Sequence, residues 1–139
     1  MITIEIFLIL SFLVNFALGL LVFVKNTQHK KVNFIFSILS WSSACWTFSI
    51  LMSFFYKESH WMLFWGKKVF ISAGFVSATF LYFSLLFPKE EGRINFFTKT
   101  LIFFFPLVFT GLTFSGLVLK EIYPLKWGFK AIYGPAHPL

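Results

Sequence analysis

The chain has 139 residues, of which 58% are hydrophobic and only 12% charged, and its formal net charge is +7. A soluble domain of this size carries roughly a quarter charged residues, so the composition excludes an ordinary soluble enzyme and points to lipid as the solvent. The twelve Lys and Arg fall almost entirely between apolar runs. There they meet lipid headgroups and set topology, and no nucleic-acid partner is expected.

The N-terminus reads Met-Ile-Thr-Ile-Glu-Ile-Phe, with an acid at Glu5 and no basic lead. The apolar run behind it is too long for the core of a signal peptide, so it reads as a retained span from about 6 to 24. The polar segment Lys25 to Lys31 closes it, and span two follows from about 34 to 55. Span three runs from about 69 to 87, with an amphipathic lead-in at 61 to 68 that extends the helix to about 62 to 87, and Pro88 as its stop. Span four runs from about 100 to 119. Each approaches the roughly 20 residues that cross about 30 Å of hydrocarbon. Lipid offers the backbone no water partner, so each span must be helical. The expected fold class is therefore all-α, a polytopic membrane helix bundle with four transmembrane helices in one membrane domain, 1 to 139. The tail from 120 to 139 carries three Pro and two Gly and reads as an external, irregular, aromatic stretch at the interface. The chain stops at Ala-His-Pro-Leu without a cap, which is the ending expected of a piece of a larger bundle.

Topology rests on the bases. The side holding Lys25, Lys30, Lys31, Lys89, Arg93 and Lys99 has six, and the side holding Lys57, Lys67, Lys68, Lys120, Lys126 and Lys130 has six. The tie is broken by the first loop, whose three Lys are the densest cluster, and the first helix often dominates. The expectation is a multi-pass protein of the inner or plasma membrane, with that loop cytoplasmic and the N-terminus outside.

Small and polar residues mark where helices meet. Ser11, Asn15 and Gly19 share one face of span one, and Ser37, Ser40, Ala44 and Thr47 share one face of span two. Span three pairs Ala73 with Ser77 and Gly74 with Ala78, and span four pairs Gly111 with Ser115. Such residues let backbones approach, and their hydroxyls can bond across helices. Asn15, the most polar residue well inside a span, is expected to find an interhelical hydrogen bond. Pro106 removes a backbone bond within span four, so a kink is expected there.

Lys67 and Lys68 stand near a membrane boundary beside Trp65. Long lysines at a helix end commonly snorkel to headgroups; the functional alternative is contact with an anion or lipid headgroup. Glu5 is a candidate counter-ion on the same side. Other chemistry is missing from the pattern. His29, His60 and His137 lack metal-ligand spacing, no acids pair within a span, and no glycine loop for phosphate appears. Neither catalysis nor a cofactor is expected of this chain. Cys45 has no partner for a disulfide and reads as a packing residue.

The order of these features resembles the N-terminal seven-helix membrane domain of bacterial sensor histidine kinases. The resemblance lies in Asn15 with Gly19-Leu20, in Asn33 to Phe36 after the basic loop, and in Ala44 to Trp46. It continues in Phe64-Trp65 before Lys67 or Lys68, in the run Phe80 to Phe87, and in Trp127-Gly-Phe through Tyr133-Gly-Pro. It covers the whole chain loosely. It implies the first four of seven helices, an N-terminus outside and an output domain in the cytoplasm, with no binding residue assigned. The partners expected are the bilayer, the remaining helices with their output domain, and a second copy in a homodimer.

The leading expectation is a sensory membrane domain of a signal-transduction protein that detects an external or membrane cue. A small multidrug-type or metabolite transporter is the alternative, weakened by the lack of a mid-span carboxylate. An accessory subunit of a membrane complex is a third reading.

Overall fold

The structure is a computed structural model, and it describes residues 2–25, 30–56, 58–87, 94–125 and 128–135. Pro88, His29 and His137, like Thr27, lie outside the described residues. The apolar runs form four helices, α1 (Ile2–Val24), α2 (Lys30–Phe55), α3 (Ser59–Leu86) and α4 (Phe96–Phe114). All four are long and apolar enough to cross a membrane. The protein is an all-α polytopic membrane bundle in its spanning part. Several helices begin about a turn before the apolar run does, at Ile2, Lys30, Ser59 and Phe96. Helix geometry continues there because polar side chains and backbone groups still reach interfacial water.

The helices pack in chain order: α1 on α2, α2 on α3, α3 on α4. This leaves α2 and α3 central. The stripe Ser37, Ser40, Ala44 and Thr47 is buried along α2, as small side chains at spacings of three and four allow. Its hydroxyls do not all reach across helices. Ser37 Oγ donates to Asn33 O at 2.9 Å and Thr47 Oγ1 to Ser43 O at 2.8 Å, and Ser43, Ser49 and Ser53 likewise bond back one turn. The carbonyl one turn earlier is always within reach, so a hydroxyl in lipid is satisfied without a neighbour.

Asn15 behaves in the same way and corrects the interhelical expectation. Its amide donates to Ser11 O at 2.9 Å within α1. Gly19 is buried, and a side chain there would run into the indole of Trp41 on α2. Ala73 is half-buried, and Ser77 is exposed and bonds to Ala73 O. Gly111 is a correction: it is exposed, and nothing stands within 4 Å of where its side chain would be. Ser115, also exposed, caps α4 and turns its hydroxyl to Leu112 O instead of to another helix. Pro106 is buried inside α4 and approaches Gly74 of α3 at 3.8 Å from the glycine's would-be Cβ. The helix runs on through it to Phe114.

The apolar run predicts a fourth span reaching Leu119, but α4 stops five residues sooner. Gly116 takes a left-handed φ of 79°. Gly116 N donates to Thr113 O and Leu117 N to Leu112 O at 3.1 Å. This double closure is the Schellman ending that a glycine after the last turn permits.

The described residues beyond α4 form regular strands, which corrects the expectation of an irregular stretch there. Strands β1 (Leu119–Leu125) and β2 (Gly128–Tyr133) form an antiparallel hairpin, with Leu119 opposite Tyr133 and Leu125 opposite Gly128. The register shifts between Leu119 and Glu121, so Lys120 is an extra residue on its strand. A bulge reverses which residues share a face. It thereby puts Leu119 and Ile122 on the same buried side, at 0% and 2% exposure, and leaves Lys120 and Glu121 exposed. Pro124 is tolerated because each strand of a two-stranded sheet is an edge.

Candidate functional site

The hairpin is seated on the N-terminal half of α3. Met62, Gly66 and Phe70 recur every four residues on α3 and so share a face. Met62 joins Leu119 and Ile122 in one buried cluster, with Phe70 and Ala131 packed against it. Gly66 makes this possible, because a side chain there would meet Ile122 Cδ1 and Leu119 Cδ2. Ser59 Oγ donates to Ile122 O at 3.1 Å, and the Phe70 and Tyr133 rings meet edge-on at 6.4 Å. The far end of the hairpin is tied to the end of α4, where Gly134 N donates to Val118 O at 3.0 Å. A cavity of about 190 Å³ remains under the hairpin, lined by Ile50 and Ser53 of α2, Gly66 and Phe70 of α3, and Leu119, Ile122 and Tyr133.

The two adjacent lysines of α3 have different roles. Lys67 turns inward and its Nζ donates to Phe114 O at 3.2 Å. Phe114 is the last residue of α4, so the ammonium satisfies a terminal carbonyl and lies at the negative end of the helix dipole. Lys68 is exposed, and its Nζ lies 5.1 Å from the Phe64 ring centre and 5.7 Å from that of Trp65. This is cation–π distance, a contact worth about 0.5–1 kcal/mol where exposed. Glu5 lies half-buried in the first turn of α1, which packs on α2, and is joined to neither lysine by an ion pair among the described residues.

Trp65 sits at the centre of an aromatic cluster. Phe64 and Phe48 meet it edge-on at 5.5 and 5.7 Å, and Tyr56 stacks on it at 6.5 Å. Its Nε1–H is buried and has no acceptor, and the same holds for Trp41 Nε1–H. A buried donor left unpaired costs about 1–3 kcal/mol. Both indoles line a groove between α2 and α3. Its upper part, about 400 Å³, is lined by Cys45, Phe48, Ser49, Trp65, Lys68, Ser72 and Phe114. Its lower part, about 290 Å³, shares Cys45 and Ser72 and adds Ile38, Trp41, Ser42 and Phe75. Lys68 and Trp65 stand out in the sequence, whereas Gly66, Trp41 and the groove do not. The signal for Gly66 is a glycine one turn from Met62 and from Phe70 on a helix that otherwise opens with bulky aromatics.

Four helices long and apolar enough to cross a membrane, packed in chain order, with a hairpin clamped on α3 at one end, define a polytopic membrane bundle carrying a β-hairpin. The pattern of the N-terminal 7TM region of histidine kinases matches residues 7–135. The chain belongs to that family. It is a membrane input region of the sensor-kinase type, and the matched region is not a catalytic one. Neither the curated proteins nor the solved structures gave a match.

Proposed function

We propose that this chain is the sensory part of a histidine kinase, responding to an external or membrane-borne cue by a shift in helix packing. The observation that supports this reading is the union of hairpin, α3 and the α4 terminus. Gly66 seats Ile122, Ser59 holds the hairpin backbone, and Lys67 ties the same stretch of α3 to Phe114. A cue that moves the hairpin therefore moves α3 as well, and α3 runs through the bilayer to the opposite side. Membership of a seven-helix family supports the further proposal that three more helices pack beside these four and carry the shift to a cytoplasmic output domain, with a homodimer as the working unit. Neither a small transporter nor an accessory subunit accounts for the family match.

Reading the coding DNA past Leu139 tests this role. Three further spans and a kinase core are expected; a stop codon with a stable four-helix product contradicts it.

The proposed orientation places the hairpin outside the inner or plasma membrane and the first loop in the cytoplasm. Its support is the lysine cluster Lys25, Lys30 and Lys31 beside α1 and α2. With Cys45 replaced by Ser, a membrane-impermeant thiol reagent is expected to label Thr27→Cys only after cells are opened. Labelling in intact cells reverses the orientation.

A further inference from the structure

We infer that the groove between α2 and α3 binds an amphiphile with one anionic head and an apolar chain, taken up sideways from the leaflet beside the hairpin, with its head on Lys68. The inference names a ligand class for the sensory role proposed above and rests on that role only for its consequence.

Three observations carry it. The first is charge placement. Lys68 stands at the end of the groove nearest the hairpin, and among the described residues no carboxylate pairs with it; the Phe64 and Trp65 rings approach it at cation–π distance and leave its charge uncancelled. Its neighbour Lys67 is already committed to Phe114 O. The second is the set of donors without acceptors. The indole N–H of Trp65 is buried and unpartnered, and Trp65 lines the end of the groove that holds Lys68; the Trp41 N–H, also unpartnered, faces Gly19 of α1 instead. Ser49 bonds back to its own helix, but Ser72, one turn from Lys68 on α3, makes no such bond among the described residues. Unsatisfied donors beside Lys68 call for a head group that accepts hydrogen bonds there. The third is shape. From Lys68 to Phe75 along α3 is about 10 Å at the helical rise, and the groove descends that length from the charged end into the apolar interior. A charged head above and a hydrocarbon chain below match that gradient. Neutral small molecules leave Lys68 unused, and a free inorganic anion leaves the apolar floor empty.

The occupant also touches three helices at once, since Cys45 and Phe48 come from α2, Trp65 and Ser72 from α3, and Phe114 from the end of α4. Filling the groove thus biases the packing on which the signalling proposal depends.

Cys45 is the chain's one cysteine, is exposed and borders both parts of the groove, so it reports occupancy directly. The chain is placed in nanodiscs of phosphatidylcholine, and alkylation of Cys45 by N-ethylmaleimide is followed while palmitate or its methyl ester is added. Palmitate is expected to slow the reaction saturably, at a concentration about tenfold below that needed with the ester, as one charge-assisted contact implies. Lys68→Gln is expected to abolish the difference and Lys68→Arg to keep it, which separates loss of charge from loss of fold. Equal protection by acid and ester in the wild type overturns the inference. So does protection that survives in Lys68→Gln, or a Cys45 that is unreactive before any acid is added because protein covers the groove. The assay involves no output domain, so its failure leaves the sensory role standing.

Discussion

Gly66→Leu is expected to unseat the hairpin from α3, while Gly66→Ala is expected to be nearly neutral. Two terms compete at this position. Alanine or leucine in place of glycine within a helix gains up to about 1 kcal/mol of helix propensity. Against this, Ile122 Cδ1 and Leu119 Cδ2 occupy the space a side chain needs. Those atoms are ends of flexible side chains, so a single methyl displaces them at a small cost that propensity offsets. Leucine adds three more carbons beneath a strand backbone held by Ser59 and Gly134, and overpacking of this kind costs about 1–3 kcal/mol. Hairpin opening should then rise by roughly tenfold to a hundredfold, since each 1.4 kcal/mol is a factor of ten. Amide hydrogen exchange across Leu119–Leu125 and Gly128–Tyr133 measures it. Equal exchange in the leucine variant and the wild type contradicts the docking of the hairpin on α3.

Gly134→Ala should be the more damaging of the two alanine substitutions. At Gly134 the obstruction is backbone: an added Cβ meets the carbonyl of Leu117 and approaches that of Gly116. These atoms belong to the turn that ends α4, which Gly116 and its two closing hydrogen bonds hold in place. They cannot rotate aside, so the chain at Gly134 must shift, and its bond to Val118 O at 3.0 Å is lost with it. The combined cost is about 2–4 kcal/mol, from overpacking and one broken backbone bond. Trypsin gives the readout, because Lys120 and Lys130 lie exposed on the strands but must be peeled from the sheet to be cut. Cleavage there is expected to rise at least tenfold, tracking the population of the opened hairpin. An unchanged rate means that this contact does not hold the hairpin.

The helices were legible because hydrocarbon imposes one demand on every residue of a span, and runs such as Phe34 to Phe55 meet it visibly. The hairpin was not, because Pro124, Gly128 and Gly134 read as breakers when the residues between them are ignored. Two stretches, Lys-Glu-Ile-Tyr and Phe-Lys-Ala-Ile-Tyr, do carry strand-forming residues on either side of a short connection. The early end of α4 was visible too, in Ser115-Gly116, although apolar content continued to Leu119. Side-chain destinations were harder to read. The positions of Lys67 and Lys68 are adjacent, and the rotation of about a hundred degrees between them sends one to the α4 terminus and the other over aromatic rings. Asn15 and the serines of α2 show why polar residues within spans mislead: their own helix satisfies them first. Gly66 had a signal, but its partner is a strand that the breakers in the tail conceal.

The most direct test of the coupling between hairpin and α3 is the autophosphorylation of the kinase proposed to carry this region, measured in membrane vesicles for the wild type, Gly66→Ala and Gly66→Leu. With the two elements coupled, the leucine variant shifts the basal level severalfold and the alanine variant stays near the wild type. If hydrogen exchange shows the hairpin released by Gly66→Leu while phosphorylation stays at the wild-type level, the hairpin and α3 do not carry the signal.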